Sequence, residues 1–313
     1  MNAAARPRRG SGGRGEKAMV PPAEFRSYYD RPVLKEPVWK AWIPGYFFAG
    51  GVAAGSSLLA EAAAWSGDRS MARRARATAL VAVGASTVCL VADLGRPSRF
   101  HHMLRVAKVT SPVSVGSWLL AAYGPLTGVA AFGARAGRPG VARAAAAGAA
   151  ALAPVVATYT GVLVADTAIP VWHDAYRELP FVFAGGAAAS AGALGVLMSP
   201  RGSERSPAVR LALLGAVAEL AATVRMRHRL GPLVGEVYDQ GTAGRLERVS
   251  RGATVVGAGL LLGRRRGART AGATLVFAGA ALQRFAIAAA GHQSARDPKY
   301  VVVPQRARLE ANC

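Results

Sequence analysis

The sequence predicts an all-α integral membrane bundle of eight transmembrane helices. Three observations carry that reading. First, residues 41–60, 109–134, 144–165 and 179–200 contain no Asp, Glu, Lys or Arg. About 20 apolar residues suffice to cross the hydrocarbon core as a helix, and backbone amides in lipid need partners within their own segment. Second, the chain is 52% hydrophobic but only 7% aromatic, with Ala and Gly dominating the apolar stretches. Such small residues let helix backbones approach closely in lipid. Third, arginines gather in the links between apolar stretches, as membrane topology requires.

The elements follow in order. The first 27 residues, with Arg6, Arg8, Arg9 and Arg14 among several glycines, read as a disordered basic tail. They lack the apolar core and small-residue cleavage site of a signal peptide before Pro21-Pro22. A membrane domain occupies 28–293, and 294–313 is a polar tail. Its spans are 41–65, 75–93, 112–134, 144–166, 180–199, 208–226, 249–264 and 270–291. Span two follows the Arg69–Arg76 cluster and stops at Asp93. Span three opens on Thr110-Ser111-Pro112, a hydroxyl cap followed by Pro in the first turn. Span four runs up to Asp166, and span five lies between Pro180 and Pro200. Span seven is the weakest. Only 252–263 is free of charge, so Arg248, Arg251 and Arg264 would have to snorkel. Seven spans, or a re-entrant segment here, is the alternative.

Eight spans place both ends of the chain on one side, here side A, with the connections 94–111, 167–179 and 227–248. Side B holds short basic links. The positive-inside rule puts side B in the cytoplasm and the protein in the cytoplasmic membrane, although Arg96, Arg99, Arg105 and Lys108 on side A oppose that vote. An internal echo links Phe48-Ala49-Gly50-Gly51 to Phe183-Ala184-Gly185-Gly186, with Pro44 and Pro180 before them and Val38-Trp39 and Val171-Trp172 upstream. A parallel repeat of two four-helix halves and chance similarity in an Ala/Gly-rich chain both account for it.

Composition removes several functions. The net charge of +22 serves topology and anionic lipid rather than nucleic acid, since no aromatic-interleaved basic platform accompanies it. Cys89 and Cys313 are too few for an iron–sulfur cluster or a metal site. The histidines, His101, His102, His173, His228 and His292, offer no mid-span pair of haem ligands. Ionisable residues at membrane depth are Glu61, Asp93, Asp166, Glu219 and Arg284. Each merits a functional hypothesis because charge in lipid is costly. Asp93 and Asp166 end spans two and four on side A, placed either to cap the next turn or to exchange protons with the water layer. Glu219 could be neutralised by an arginine partner such as Arg284.

Four motifs then converge. They are Tyr29-Asp30-Arg31-Pro32-Val33-Leu34-Lys35-Glu36-Pro37-Val38-Trp39-Lys40, Pro44-Gly45-Tyr46-Phe47-Phe48-Ala49-Gly50-Gly51, the loop Asp93-Leu94-Gly95-Arg96-Pro97, and Thr110-Ser111-Pro112 with Val115-Gly116-Ser117-Trp118. Together they resemble the NrfD/polysulfide reductase membrane-subunit family, from about residue 28 to the 172–186 region. The resemblance implies a haem-free, eight-helix, quinone-reactive subunit. It would exchange electrons between menaquinone or ubiquinone and a four-cluster iron–sulfur protein, and through that protein a molybdopterin catalytic subunit. It also implies a quinone pocket between spans one and four. Tyr159, in Tyr159-Thr160-Gly161, matches the family's helix-four tyrosine, while Tyr46 and Ile43 stand where one branch has histidine and asparagine. His173, in Trp172-His173-Asp174, is a further candidate on side A. Tyr159 and Asp166 are seven residues apart, close to two turns, so they share a helix face, and Asp166 lies nearer the water by roughly 10 Å. The expected sites are therefore Asp93 and Asp166 for protons, and Tyr46, Tyr159 and His173 for quinone. A secondary transporter and a passive membrane anchor are the rival classes.

Overall fold

The computed structural model describes residues 32–198 and 206–311. The basic tail 1–27, motif residues Tyr29–Arg31, the link arginines Arg201 and Arg205, and Cys313 lie outside these residues. The helices are α1 (Trp42–Trp65), α2 (Arg69–Asp93), α3 (Pro112–Phe132), α4 (Pro139–Ala165), the single turn α5 (Pro170–His173), α6 (Leu179–Met198), α7 (Pro207–Gly235), α8 (Gly241–Leu261), α9 (Arg266–Arg296) and α10 (Lys299–Ala311). A 3-10 helix, Pro97–Leu104, joins α2 to α3. The all-α expectation holds.

Seven helices among the described residues are long and apolar enough to cross a membrane: α1, α2, α3, α4, α6, α7 and α9. The expected seventh span is present as α8, a 21-residue helix, but it is not among the seven. It begins at Gly241 rather than 249 and stops at Leu261. Its first half carries Arg245, Glu247, Arg248 and Arg251. It nevertheless follows the length of α9 closely, and Leu261 joins Leu59, Met71 and Val276 in the apolar cluster of side B. Elsewhere the helices outrun the apolar windows: α2 starts at Arg69, α7 extends to Gly235 and α9 runs to Arg296. Helical hydrogen bonding continues past the lipid-compatible stretch wherever the flanking side chains can reach water. In α7 the ladder is interrupted at Gly231 (φ 68°), followed by Pro232. The polar tail is largely helical, as α10.

The start of α3 is signed as expected, and α2 has a cap of the same kind. Ser111 accepts from the Ser114 amide at the head of α3, with Pro112 in its first turn, and Asp68 accepts from the Met71 amide at the head of α2. Backbone proximity explains the small residues. A Cβ on Gly55 would lie 2.4 Å from the Ala187 carbonyl oxygen, and one on Gly192 would lie 2.2 Å from the Ala212 nitrogen. Contact at that range maximises the dispersion that holds helices together in lipid.

The two halves repeat one packing pattern. Helix α1 packs on α2 and α4 as α6 packs on α7 and α9, and α3 pairs with α4 as α8 pairs with α9. Helices α1 and α6 meet at the centre. The two upstream tryptophans of the sequence echo, Trp39 and Trp172, stack on each other with ring centroids 5.3 Å apart and an interplanar angle of 23°. The repeat of halves is thus present in the packing.

Candidate functional site

Side A is roofed by the extended segment before α1. Glu36 of this strap accepts from Arg296 Nη2 at 2.6 Å and bonds His292 Nδ1 at 2.9 Å. The other His292 nitrogen, Nε2, lies 3.1 Å from the Trp39 carbonyl oxygen. Both ring nitrogens of His292 thus face acceptors, a carboxylate and a backbone carbonyl. The Arg296 hydrogen bond, with His292 second, holds the Glu36 carboxyl below its ordinary value. Trp172 is wedged below the strap: its Nε1 donates to the Ile287 carbonyl at 2.7 Å, and its ring lies against Gly291.

Beneath the strap lies a slot of about 260 Å³ between α1, the end of α4 and α9. Its walls include Ile43, Phe47, Val164, Trp172 and Phe285, with His292 and Lys40 as its ionisable groups. Phe285 is part-exposed on the outer surface, so the slot opens laterally where lipid would lie. An apolar slot with a few convergent polar groups is the common form of a small-molecule site. It fits a quinone in its apolar walls for ring and tail, and it has at its rim a histidine whose Nε2 is held by a backbone carbonyl that a ligand oxygen could replace.

The expected site residues are distributed over side A. Tyr46 and Tyr159 are buried and belong to the same apolar cluster as Ile43, Phe47 and Val164, but neither lines the slot. Tyr159 packs its ring on Gly116 of α3, where a Cβ would lie 2.3 Å away, and no hydroxyl partner occurs among the described residues. Beside it, Ser117 lines a second, mainly apolar cavity of about 180 Å³ with Leu90, Phe100 and Met103. Asp166 and His173 come together in a third, more open groove of about 510 Å³, facing Tyr300, Pro304 and Arg308 of α10. Asp93 accepts from the Lys40 amide at 3.2 Å and so pins the strap. Arg96 and Arg99 are exposed and make no ion pair among the described residues.

The other membrane-depth charges are paired. Glu61 meets Arg76 at 3.3 Å, near side B. Glu219 meets Arg284 at 3.4 Å in the interior. Arg284 also donates to the Phe183 carbonyl at 2.7 Å and sits 4.3 Å from the Phe183 ring centroid. Gly186 leaves room for this pair, since a Cβ there would fall 2.3 Å from Glu219 Oε1. Sequence reasoning passed over Glu36, His292 and Glu247. Glu36 and His292 are 256 residues apart, so only the fold joins them. Glu247 had a signal: with Ser250 and Thr254 it makes a polar face at helical spacing that runs from the preceding connection into the doubtful seventh span.

Residues 32–227 match the family described as "Polysulphide reductase, NrfD". The chain belongs to the NrfD family. A comparison with curated proteins finds no match. The NrfD match covers the strap, α1 to α6 and most of α7, and stops before α8 and α9, so His292 and Glu247 are features of the part beyond it.

Proposed function

We propose that this NrfD-family protein is the quinone-reactive membrane subunit of an iron–sulfur molybdopterin oxidoreductase, held in the cytoplasmic membrane. The observation that carries the reading is the side-A slot, apolar and open to lipid, with His292 at its wall and the family-matched helices α1 and α4 around it. A bound menaquinone or ubiquinone supplies two-electron, two-proton redox chemistry. The chain's own part is to seat the ring between Phe47, Trp172 and Phe285, and to present a donor. His292 fills that role once its Nε2 turns from the Trp39 carbonyl to a quinone oxygen, while Nδ1 stays held by Glu36, which Arg296 holds in turn. Electrons pass to or from a four-cluster iron–sulfur partner docked on side A, where the strap, the 3-10 helix and α10 gather, and thence a molybdopterin catalytic subunit.

A second placement has one observation in its favour. The Tyr159 hydroxyl has no partner among the described residues, and its ring lies on Gly116, the chain neighbour of Ser117 in the α2–α3 cavity wall. There Tyr159 and Tyr46 would serve the ring, with Asp166, Asp93 and His173 handling protons at the surface. Two variants separate the placements. In the intact complex, His292→Gln should lower quinol-linked turnover about tenfold or more and leave artificial-dye activity of the catalytic subunit unchanged. Tyr159→Phe should do so if the second placement is right, with a loss of up to about tenfold for one neutral hydrogen bond. Normal quinol kinetics in both would refute both placements. A complex inert to quinol yet fully assembled would be a passive anchor, and a protein that never co-purifies with a cluster-bearing partner would favour the transporter class.

A further inference from the structure

The seam between α7, α8 and α9 holds polar atoms that this reading does not use. Glu247 is fully buried, and neither carboxylate oxygen has a hydrogen-bond partner. Arg227 Nη1 and Arg251 Nη1 stand off at 3.6 and 3.8 Å. Thr254 Oγ1, Gln283 Nε2 and Arg284 Nε are likewise buried and unpartnered. All of these residues except Arg284 border a cavity of about 20 Å³ lined by Glu219, Thr223, Glu247, Ser250, Thr254 and Gln283, and Arg284 meets it through its ion pair with Glu219. A single water needs roughly 10–15 Å³ and two to four polar partners, and this cavity meets both conditions. Unpartnered polar atoms at membrane depth are otherwise strongly disfavoured.

The polar atoms form a line. Along α7 they fall at Arg227, Thr223 and Glu219, and along α8 at Glu247, Ser250 and Thr254, each set on one helix face and about 10–12 Å long. The outer end is on side A, where Arg227 bonds exposed Asp239 at 2.5 Å. The inner end is the Glu219–Arg284 pair. Beyond it towards side B lies a cluster of Ala189, Ala212, Ala216, Leu261 and Val276, which offers water nothing to bond. We infer that this seam is a water-bearing proton inlet, open to side A and closed to side B, that ends beside the quinone slot. Phe183, the acceptor and ring partner of Arg284, meets Phe47 edge-on at 5.5 Å, and Phe47 and Ile287 line the slot. The last point rests on the quinone reading; the inlet itself does not.

The test reads water access directly. Among the described residues Arg284 is the fully buried arginine, and a guanidinium keeps its exchangeable protons at all working pH values. On transfer of the purified protein in lipid nanodiscs to D2O, infrared bands of arginine should deuterate within seconds and leave no slow fraction. Thr254→Leu, which fills the cavity without removing a charge, should create a slow fraction of about one arginine, at least tenfold retarded. A slow arginine in the wild type, or no difference between wild type and Thr254→Leu, overturns the inlet. Should that variant fail to fold, ordered-water density decides: one water touching Glu247 and Gln283 supports the proposal, and a dry chamber refutes it. Quinol-linked turnover is read separately. Fast exchange in a wild-type complex with no quinol activity would sink the quinone reading and leave the inlet standing.

Discussion

Glu219 and Arg284 show how one charge can be tolerated deep in this bundle. Each is the other's counter-ion, and Phe183 gives the guanidinium both a carbonyl and a ring face. Removing one partner leaves an uncompensated buried charge, at a cost of about 3–5 kcal/mol. Arg284→Met should therefore unfold at markedly lower temperature in detergent, and Glu219→Gln with Arg284→Met should recover much of the loss. A double variant less stable than Arg284→Met would contradict the pairing. At the surface, Glu36 behaves differently. Its folded-state value is depressed by Arg296 and His292, so its stabilising contribution is complete above the ordinary value of 4.5. It is lost as pH falls below that through the lower folded value. Melting curves of wild type and Glu36→Gln should differ near neutrality and converge in acid; a constant gap down to the acid limit would remove Glu36 from the clasp.

Among elements, contacts between backbones decide what can change. Helices α6 and α7 touch at Gly192 and Gly215, where a Cβ would meet the facing Ala212 or Ala189 nitrogen at 2.2 Å. Neither neighbour is a flexible side chain, so the helices must part. Gly215→Ala should cost at least about 1–3 kcal/mol, the range for overpacking, as a lower melting temperature. Gly291 plays a related part for the strap. A Cβ there would lie 2.0 Å from the Trp172 ring, so Gly291→Ala should unseat Trp172, loosen its stack on Trp39 and expose the slot. Tryptophan fluorescence should shift to the red, while a spectrum like that of the wild type would show that the wedge is dispensable.

On the scale of the whole molecule, the two ends of the bundle differ in kind. Side B has short links, the Glu61–Arg76 pair and an Ala-rich dry cluster. Side A has the strap, the exposed 3-10 helix, the groove at Asp166 and His173, and α10. Arg96 and Arg99 on that side make no ion pair among the described residues and would suit an acidic patch on the proposed iron–sulfur partner. Arg96→Glu with Arg99→Glu should weaken co-purification of the complex most at low ionic strength, with the difference from wild type shrinking as salt screens it. Reversal of Arg138 and Arg143 on side B should leave it intact, and the opposite pattern would place the partner on the wrong face.

The sequence alone determined the all-helical membrane class, most helix positions and the family, and it offered Arg284 as a partner for Glu219. These follow from properties written locally: apolar runs of spanning length, caps such as Ser111-Pro112, and motifs within one segment. It also carried the echo that the packing realises as two similar halves. Tertiary structure decided which residues face a common space. Tyr46 and Phe47 are adjacent in sequence, yet only Phe47 lines the slot, because successive side chains on a helix point about 100° apart. His292 and Glu36 meet across 256 positions, and Asp166 and His173 share their groove only because α10 folds over it. Glu247, in a stretch that reads as interfacial by charge, is buried because α9 packs along α8 and covers it. Hydropathy measures how a segment partitions into lipid; which of its faces meets lipid, water or protein depends on neighbours that lie far away along the chain.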